Sequence, residues 1–144
     1  YMQKTTIFIL IIYILLTFKA LTKENFFHEA KALFDQGKIE ESKFLFQRNI
    51  VFNPKDSKSY LYLAKIFESE ENEIEEEKNI NTTLLLEPDN EEAILMLINI
   101  KLEKSDIKKV EELKKKFEII CNSLCSRINS IDERLSNIDV KNES

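Results

Sequence analysis

The fold is decided by two short segments of the same layout: residues 50–56 are IVFNPKD and residues 84–90 are LLLEPDN. Their prolines, Pro54 and Pro88, are the only two in the chain and lie 34 residues apart. A proline has no backbone N–H to donate and keeps the preceding residue out of helical geometry, so each segment ends a helix. A fixed period of this size predicts an array of helical repeats.

The composition of the 144-residue chain fits a single, mostly helical domain. It has 43% hydrophobic and 33% charged residues, with one glycine and two prolines, which leaves few places for tight β-turns. The net charge of −5 is scattered along the chain. It disfavours nucleic acid as a partner, because binding phosphates requires a basic face. We therefore expect an all-α protein that does not bind nucleic acid.

Apolar periodicity predicts a first hairpin ahead of Pro54, with helices over residues 23–35 and 39–52. The turn between them contains Gly37, the only glycine, which favours the left-handed conformation at a helix end.

A second hairpin is expected ahead of Pro88. Its first helix starts near Tyr60, and its second covers residues 73–86. The turn at residues 69–72 has no glycine and is expected to be looser. The glutamates at 75–77 are interpreted as a solvated first turn that suits the helix dipole.

After Pro88 a third hairpin begins, and its turn is predicted at residues 104–106. From Ile107 onward apolar side chains recur every three or four residues without a stop signal until about residue 137. This pattern predicts one long amphipathic helix over residues 107–138, followed by a polar tail at 139–144. Cys121 and Cys125 would share one face of it as small apolar side chains, and they do not suggest a disulfide framework or a metal site.

The N-terminal residues 1–22 contain the apolar stretch TTIFILIIYILLTF at residues 5–18. A positive residue followed by an apolar run of this length matches the central region of a secretory signal, although the run is short for a membrane span. We consider three interpretations: a cleaved signal peptide, an uncleaved signal-anchor, or a buried helix of the array. The first two predict a membrane-associated or secretory protein, in which residues 7–18 would contact the membrane, and the third predicts a cytoplasmic one.

Residues 23–124 resemble the tetratricopeptide repeat, a family of 34-residue antiparallel helix pairs that stack into a superhelix. With each proline at position 32, the units are residues 23–56, 57–90 and 91–124. The aromatic, small and glycine positions of the family are matched by Phe26, Tyr60, Ala30, Ala64, Phe67, Gly37, Ser42 and Phe46. Three positions depart from the pattern, and one of them is Lys101 at an aromatic position of the third unit. Glu76 occupies a small position of the second unit, which a one-residue shift of that hairpin would accommodate, and Asn122 stands where the third proline belongs.

The resemblance implies a binding groove along the first helix of each unit. Its positions carry Phe27, His28, Lys31, Phe34, Leu61, Tyr62, Lys65, Leu95, Met96 and Asn99. The family's clamp for a terminal carboxylate is not matched, because Phe27, Tyr62 and Met96 are among the residues at its positions. An aromatic and aliphatic groove whose cations are Lys31 and Lys65 suits an apolar or amphipathic peptide or helix. Alternatively, these side chains belong to the core, or the N-terminal segment or the C-terminal helix covers them.

The sequence therefore predicts a non-catalytic interaction module, an adaptor or scaffold, without cofactor or metal. His28 is the only histidine, and no glycine-rich loop is present to hold a phosphate. The alternative is an assembly protein that oligomerises through the 107–138 stripe as a coiled coil. A stripe buried on Met96 and Leu102 would favour a capping role, and a fully exposed stripe in the monomer would favour assembly.

Overall fold

A computed structural model describes residues 26–142, with side chains up to residue 138. This part of the chain is all-α, as predicted, and forms seven helices: α1 (Phe26–Asp35), α2 (Ile39–Phe52), α3 (Ser57–Ser69), α4 (Glu73–Leu86), α5 (Glu91–Glu103), α6 (Ile107–Ile120) and α7 (Arg127–Asn142). The segment 1–22, and the signal, anchor and buried-helix interpretations of it, lie outside the described residues. Within 26–142 no helix is both long and apolar enough to cross a membrane.

The helices repeat with a period of 34 residues. The second helices of the three hairpins begin at residues 39, 73 and 107 and end at 52, 86 and 120. The first helices of the second and third hairpins begin at residues 57 and 91. The second hairpin is therefore not shifted by a residue, in spite of Glu76 at its small position.

Each hairpin turn has the same backbone geometry. Gly37, Glu71 and Ser105 all have positive φ, at 75°, 56° and 55°. The residue after each donates its backbone N–H to the carbonyl five residues earlier, over 2.9 Å in all three turns. Such hydrogen bonds close a helix end around a left-handed residue. The expectation of a looser turn at 69–72 is wrong, because these bonds hold Glu71 in the conformation that glycine adopts in the first turn.

The core consists of two clusters that share α3. The N-terminal core is formed by Ala30, Phe46, Leu63, Ile66 and Phe67. The C-terminal core contains Leu61 and Ala64 of α3 together with buried residues of α4 to α7. Helix α3 starts at Ser57, three residues earlier than expected, and it is buried on more than one face because a hairpin lies on either side of it.

The single helix predicted over residues 107–138 is wrong. Helix α6 ends at Ile120, residues 121–126 form a loop, and α7 begins at Arg127. Cys121 and Cys125 form a disulfide across this loop, so the interpretation of the pair as small apolar side chains on one helix is also wrong.

A distant carboxylate organises this loop. Glu91, the first residue of α5, accepts hydrogen bonds from the backbone N–H groups of Asn122 (2.8 Å), Ser123 (3.2 Å) and Leu124 (3.3 Å). The Ser123 hydroxyl donates to the same carboxylate. These hydrogen bonds lower the pKa of Glu91 to about 2, and the one from the Ser123 hydroxyl lowers it the most. The carboxylate thus satisfies backbone donors that a continued helix would satisfy internally.

Helix α7 caps the array. Ile131 is 2% exposed in the C-terminal core, and Leu124, Ile128, Leu135 and Ile138 pack against that core. The Arg134 guanidinium donates to Asn99 Oδ1 on α5 (2.8 Å), and Lys114 of α6 pairs with Asp132. The chain therefore covers much of its own C-terminal stripe, which favours the capping role over the coiled-coil alternative.

Candidate functional site

Three half-buried aromatic rings gather where α1 lies beside α3, and we call them the aromatic patch: Phe27, Phe34 and Tyr62. The Tyr62 ring centroid lies 5.2 Å from that of Phe34 and 5.7 Å from that of Phe27, both edge to face. The Tyr62 ring also stacks on the ring of Phe46, with 5.0 Å between the centroids. Because Phe46 is fully buried, the patch rests on the N-terminal core while part of each ring remains open to solvent.

Two lysines flank the patch. Lys65 Nζ lies 4.7 Å from the centroid of Tyr62 and forms an ion pair with Glu92 at 2.8 Å. Lys31 Nζ lies 6.0 Å from the same centroid and pairs with Asp35 at 2.6 Å. The hydrogen bond to Asp35, followed by the proximity of Tyr62, raises the pKa of Lys31. Both cations are within the range at which ammonium groups interact with an aromatic face.

The other predicted groove residues lie in different surroundings. His28 is exposed, and its ring lies in an edge-to-face contact with Phe27, with 5.7 Å between the centroids. Leu61 and Met96 are only 6% and 7% exposed and belong to the C-terminal core, so they offer a partner little surface. Leu95 packs against the same core, and Asn99 is held by Arg134 of α7, as described above. The structure thus gathers Phe27, Lys31, Phe34, Tyr62 and Lys65, with His28 beside Phe27, and leaves the rest apart from them.

A second feature, which the sequence did not predict, is a cleft of about 280 Å³ where α3, α4 and α5 meet. We call it the acidic cleft, and its lining is Glu68, Glu71, Glu73, Glu76, Asn99, Ile100 and Glu103. It adjoins a cleft of about 340 Å³ that shares Glu68, Asn99 and Glu103 and is closed on the other side by Arg127, Ser130, Ile131 and Arg134 of α7.

Glu76 is the most buried carboxylate of the acidic cleft, at 8% exposure. Burial is the largest cause that raises its pKa to about 7, and the negative charges of Glu68, Glu103, Glu73 and Glu77 raise it further. The interpretation of residues 75–77 as a solvated first turn is therefore wrong for Glu76. The departure from the repeat pattern at this position was the available signal, because Glu76 stands one period after Ser42, which is fully buried and bonds to the Ala30 carbonyl at 2.8 Å.

The neighbouring glutamates have cation partners. Glu77 accepts hydrogen bonds from Lys101 and Lys104, which lower its pKa, and Glu75 pairs with Lys78 at 3.0 Å. Among residues 26–142 no three aspartate, glutamate, histidine or cysteine side chains are arranged to hold a metal ion. The described surface therefore offers an aromatic patch and an acidic cleft as places where another molecule could bind.

Comparison with known proteins gives a fold. No family model and no curated protein matches the sequence. Among solved structures, the type III secretion translocator chaperone SycD of Yersinia enterocolitica superimposes with a TM-score of 0.70 at 18% identity, over 85% of this chain and 87% of SycD. The first tetratricopeptide domain of Spaghetti (RPAP3) gives 0.64 at 12% identity over 83% and 94% of the two chains. The tetratricopeptide domain of Sgt2 from Aspergillus fumigatus gives 0.61 at 12% over 83% and 78%. These likenesses, together with the 34-residue period of the helices, show that the chain has the tetratricopeptide-repeat fold.

Proposed function

We propose that this protein is a non-catalytic binding module that holds a peptide or helix of a partner protein against the aromatic patch. The observation that carries the proposal is the half-buried state of Phe27, Phe34 and Tyr62 beside one another. Half-buried rings lose more contact with water when apolar side chains of a partner cover them. Each square ångström of apolar surface removed from water contributes about 25 cal/mol to the free energy of binding. Lys31 and Lys65 beside the rings add polar contacts at the edge of such an interface.

Solved structures of the same fold support the proposal. One structure of SycD is a complex with a peptide of the translocator YopD, and PcrH was solved with the chaperone-binding region of PopD. The first tetratricopeptide domain of Spaghetti (RPAP3) was solved with the HSP90 peptide SRMEEVD. In this chain Phe27, Tyr62 and Met96 are among the residues in place of a carboxylate clamp, so we propose recognition of apolar side chains within a segment.

Selection of peptides tests the proposal. The full chain is exposed to random twelve-residue peptides displayed on phage, and enriched peptides are measured by fluorescence anisotropy. We expect the double variant Phe27→Ala, Phe34→Ala to bind at least tenfold more weakly, because it removes two rings that would cover the ligand. Tyr62 is left intact because it stacks on the buried Phe46.

Phe44→Ala is the matched control, because Phe44 is a phenylalanine on α2 that is 61% exposed and lies outside the patch. It should bind like the wild type, and circular dichroism should show all three proteins equally helical. Enrichment of no peptide, or equal loss in the control and the double variant, would contradict the proposal.

We also propose that the folded part of the chain works in an oxidising compartment, reached through the N-terminal residues 1–22. The Cys121–Cys125 disulfide supports this, since disulfides persist in oxidising compartments and are rare in the cytosol. Carbonate extraction and protease protection of the full-length tagged protein test it. A protein that is released by carbonate and fully digested by protease added to intact vesicles would contradict it.

A further inference from the structure

The acidic cleft contains carboxylates that the described part of the chain leaves without cations. No lysine, arginine or histidine among residues 26–138 forms an ion pair with Glu68, Glu71, Glu76 or Glu103. Glu76 is more than nine-tenths buried, lines the cleft and accepts no hydrogen bond on its carboxylate from these residues. Among the described carboxylates of the lining, Glu73 pairs with Lys104 at the edge. Asn99 of the lining accepts a hydrogen bond from the Arg134 guanidinium.

The chemistry of this arrangement favours a positively charged occupant. A buried carboxylate among other carboxylates is unfavourable when ionised unless a cation compensates it. A bare metal ion does not suit the cleft, since the carboxylates are not arranged as a ligand set. An ammonium or guanidinium group suits it better, because its three or five N–H donors can bond to several carboxylates that lie apart from one another.

We propose that the acidic cleft binds a single lysine or arginine side chain of the peptide that occupies the aromatic patch. This inference rests on the proposed peptide-binding function and adds a charge requirement to it. The volume of about 280 Å³ leaves room for one long side chain. Arg127 and Arg134 line the adjoining cleft, and their charges make that cleft the less favourable of the two for a basic side chain.

The helix geometry predicts where the basic residue stands in the peptide. Tyr62 of the patch and Glu68 of the cleft are both on α3, six residues apart. Six helical residues rise about 9 Å at 1.5 Å each. Because six residues also turn the helix by about 240°, the two side chains lie on different sides of α3 and about 9 Å is the smallest distance a peptide must cover. An extended peptide covers it in roughly three residues, so we expect the basic side chain at least three positions from the apolar side chain that contacts Tyr62.

The test uses the phage selection described above and a peptide pair. Peptides enriched on the full wild-type chain should carry lysine or arginine at a fixed spacing from an aromatic or aliphatic residue. The basic residue of the tightest-binding peptide is replaced with arginine in one peptide and with citrulline in another. These two peptides have nearly the same shape and differ in charge. We expect the citrulline peptide to bind the wild type at least tenfold more weakly than the arginine peptide.

Glu76→Gln should bind the arginine peptide at least tenfold more weakly than the wild type does and should reduce the preference for arginine over citrulline. A second variant, Glu68→Gln with Glu103→Gln, should act in the same direction without touching the most buried position. Glu41→Gln, an exposed glutamate of α2, is the control and should retain the wild-type preference.

The outcomes separate this inference from the proposed function. Enriched peptides without basic residues, or equal affinity for arginine and citrulline peptides, would overturn the basic-residue site and leave peptide binding in place. Enrichment of no peptide would overturn both. A preference for arginine that Glu76→Gln and Glu68→Gln with Glu103→Gln leave unchanged would place the charge recognition elsewhere and overturn the assignment to the cleft.

Discussion

At the residue scale, Glu76 is electrostatically unfavourable for folding and is also part of the proposed binding cleft. It stands one repeat period after Ser42, at a position where the first hairpin brings its two helices close with a small, hydrogen-bonded residue. Helix α4 keeps the same boundaries as α2 shifted by one period, so the second hairpin accommodates a carboxylate without moving. The accommodation has an electrostatic cost, since burial and four nearby glutamates raise the pKa of Glu76 to about 7.

Glu76→Gln should therefore stabilise the protein at neutral and basic pH. The pKa is about 7 in the folded chain and 4.5 in the reference state, so between these values the folded state binds more protons and stability falls as the pH rises. We expect the variant to remove this decline and to gain at most about 3 kcal/mol of unfolding free energy at pH 8. Denaturant unfolding at pH 4.5, 6 and 8 measures it.

The charged groups around Glu76 define the controls for that experiment. Glu68, Glu73, Glu77 and Glu103 act on it from α3, α4 and α5, while Lys101 and Lys104 are paired with Glu77, and Lys104 also with Glu73. Glu41→Gln, which removes an exposed carboxylate of α2 outside this group, is the control variant. Identical pH dependence in the wild type and in Glu76→Gln would show that Glu76 is ionised at no cost.

At the scale of elements, the contact between Glu91 and the 121–126 loop holds the connection between α6 and α7. Glu91→Gln should loosen that loop, because the amide that replaces the carboxylate keeps one acceptor oxygen and loses its charge. We expect faster hydrogen exchange of the amides at residues 122–124 and in α7, with little change in α1 and α2. Equal exchange throughout the variant and the wild type would contradict the role given to Glu91.

The same contact predicts a response to acid. The pKa of Glu91 lies at about 2, below its reference value of 4.5, so its contribution to stability is present above pH 4.5 and is lost as the pH falls through about 2. Loop exchange in the wild type should therefore rise over this range, after correction for the intrinsic pH dependence of exchange, and Glu91→Gln should not show the rise.

The elements that the sequence predicted well are those with a local signal. Gly37, Pro54 and Pro88 are strong helix-ending residues, and α2 and α4 have the boundaries predicted from them. The break after Ile120 has no glycine or proline, and the loop that follows is held by a carboxylate 31 residues before Asn122 and by the Cys121–Cys125 disulfide. Asn122, which stands where the third repeat proline belongs, marks the position of the break. The apolar periodicity continues across this residue, however, and it predicted an unbroken helix.

The two parts of the candidate site also differ in whether the sequence predicts them. The aromatic patch could be predicted because repeat positions place Phe27, Phe34 and Tyr62 along adjacent first helices. The acidic cleft could not, because its glutamates come from three helices and a turn. The approach of these elements, and the burial that follows from it, is a property of the stack.

At the scale of the whole molecule, α3 is the common wall of two cores. Leu63, Ile66 and Phe67 belong to the N-terminal core, and Leu61 and Ala64 belong to the C-terminal core. Nearest-neighbour contacts dominate the stability of stacked repeats, so the cores should open separately when one is weakened.

Ile66→Ala tests whether the two cores unfold separately. Ile66 is fully buried in the N-terminal core, and its truncation should cost about 2 to 5 kcal/mol. We expect hydrogen exchange by mass spectrometry to show lost protection in α1 and α2 and retained protection in α5 and α6. Ile98→Ala in the C-terminal core is the matched variant and should give the opposite pattern. Uniform loss of protection in both would mean that the two cores unfold as one.

The 34-residue period of the helix boundaries has a consequence for how such a chain can change length. A duplicated copy of residues 57–90, inserted after residue 90, would begin and end in phase with its neighbours and would bring its own turn at the position of Glu71. At the junction between the two copies, Lys65 and Ser69 of the following copy would stand where Asn99 and Glu103 line the present cleft. Growth of the gene by this unit would therefore lengthen the stack with a different cleft at the new junction while leaving the terminal cap in place.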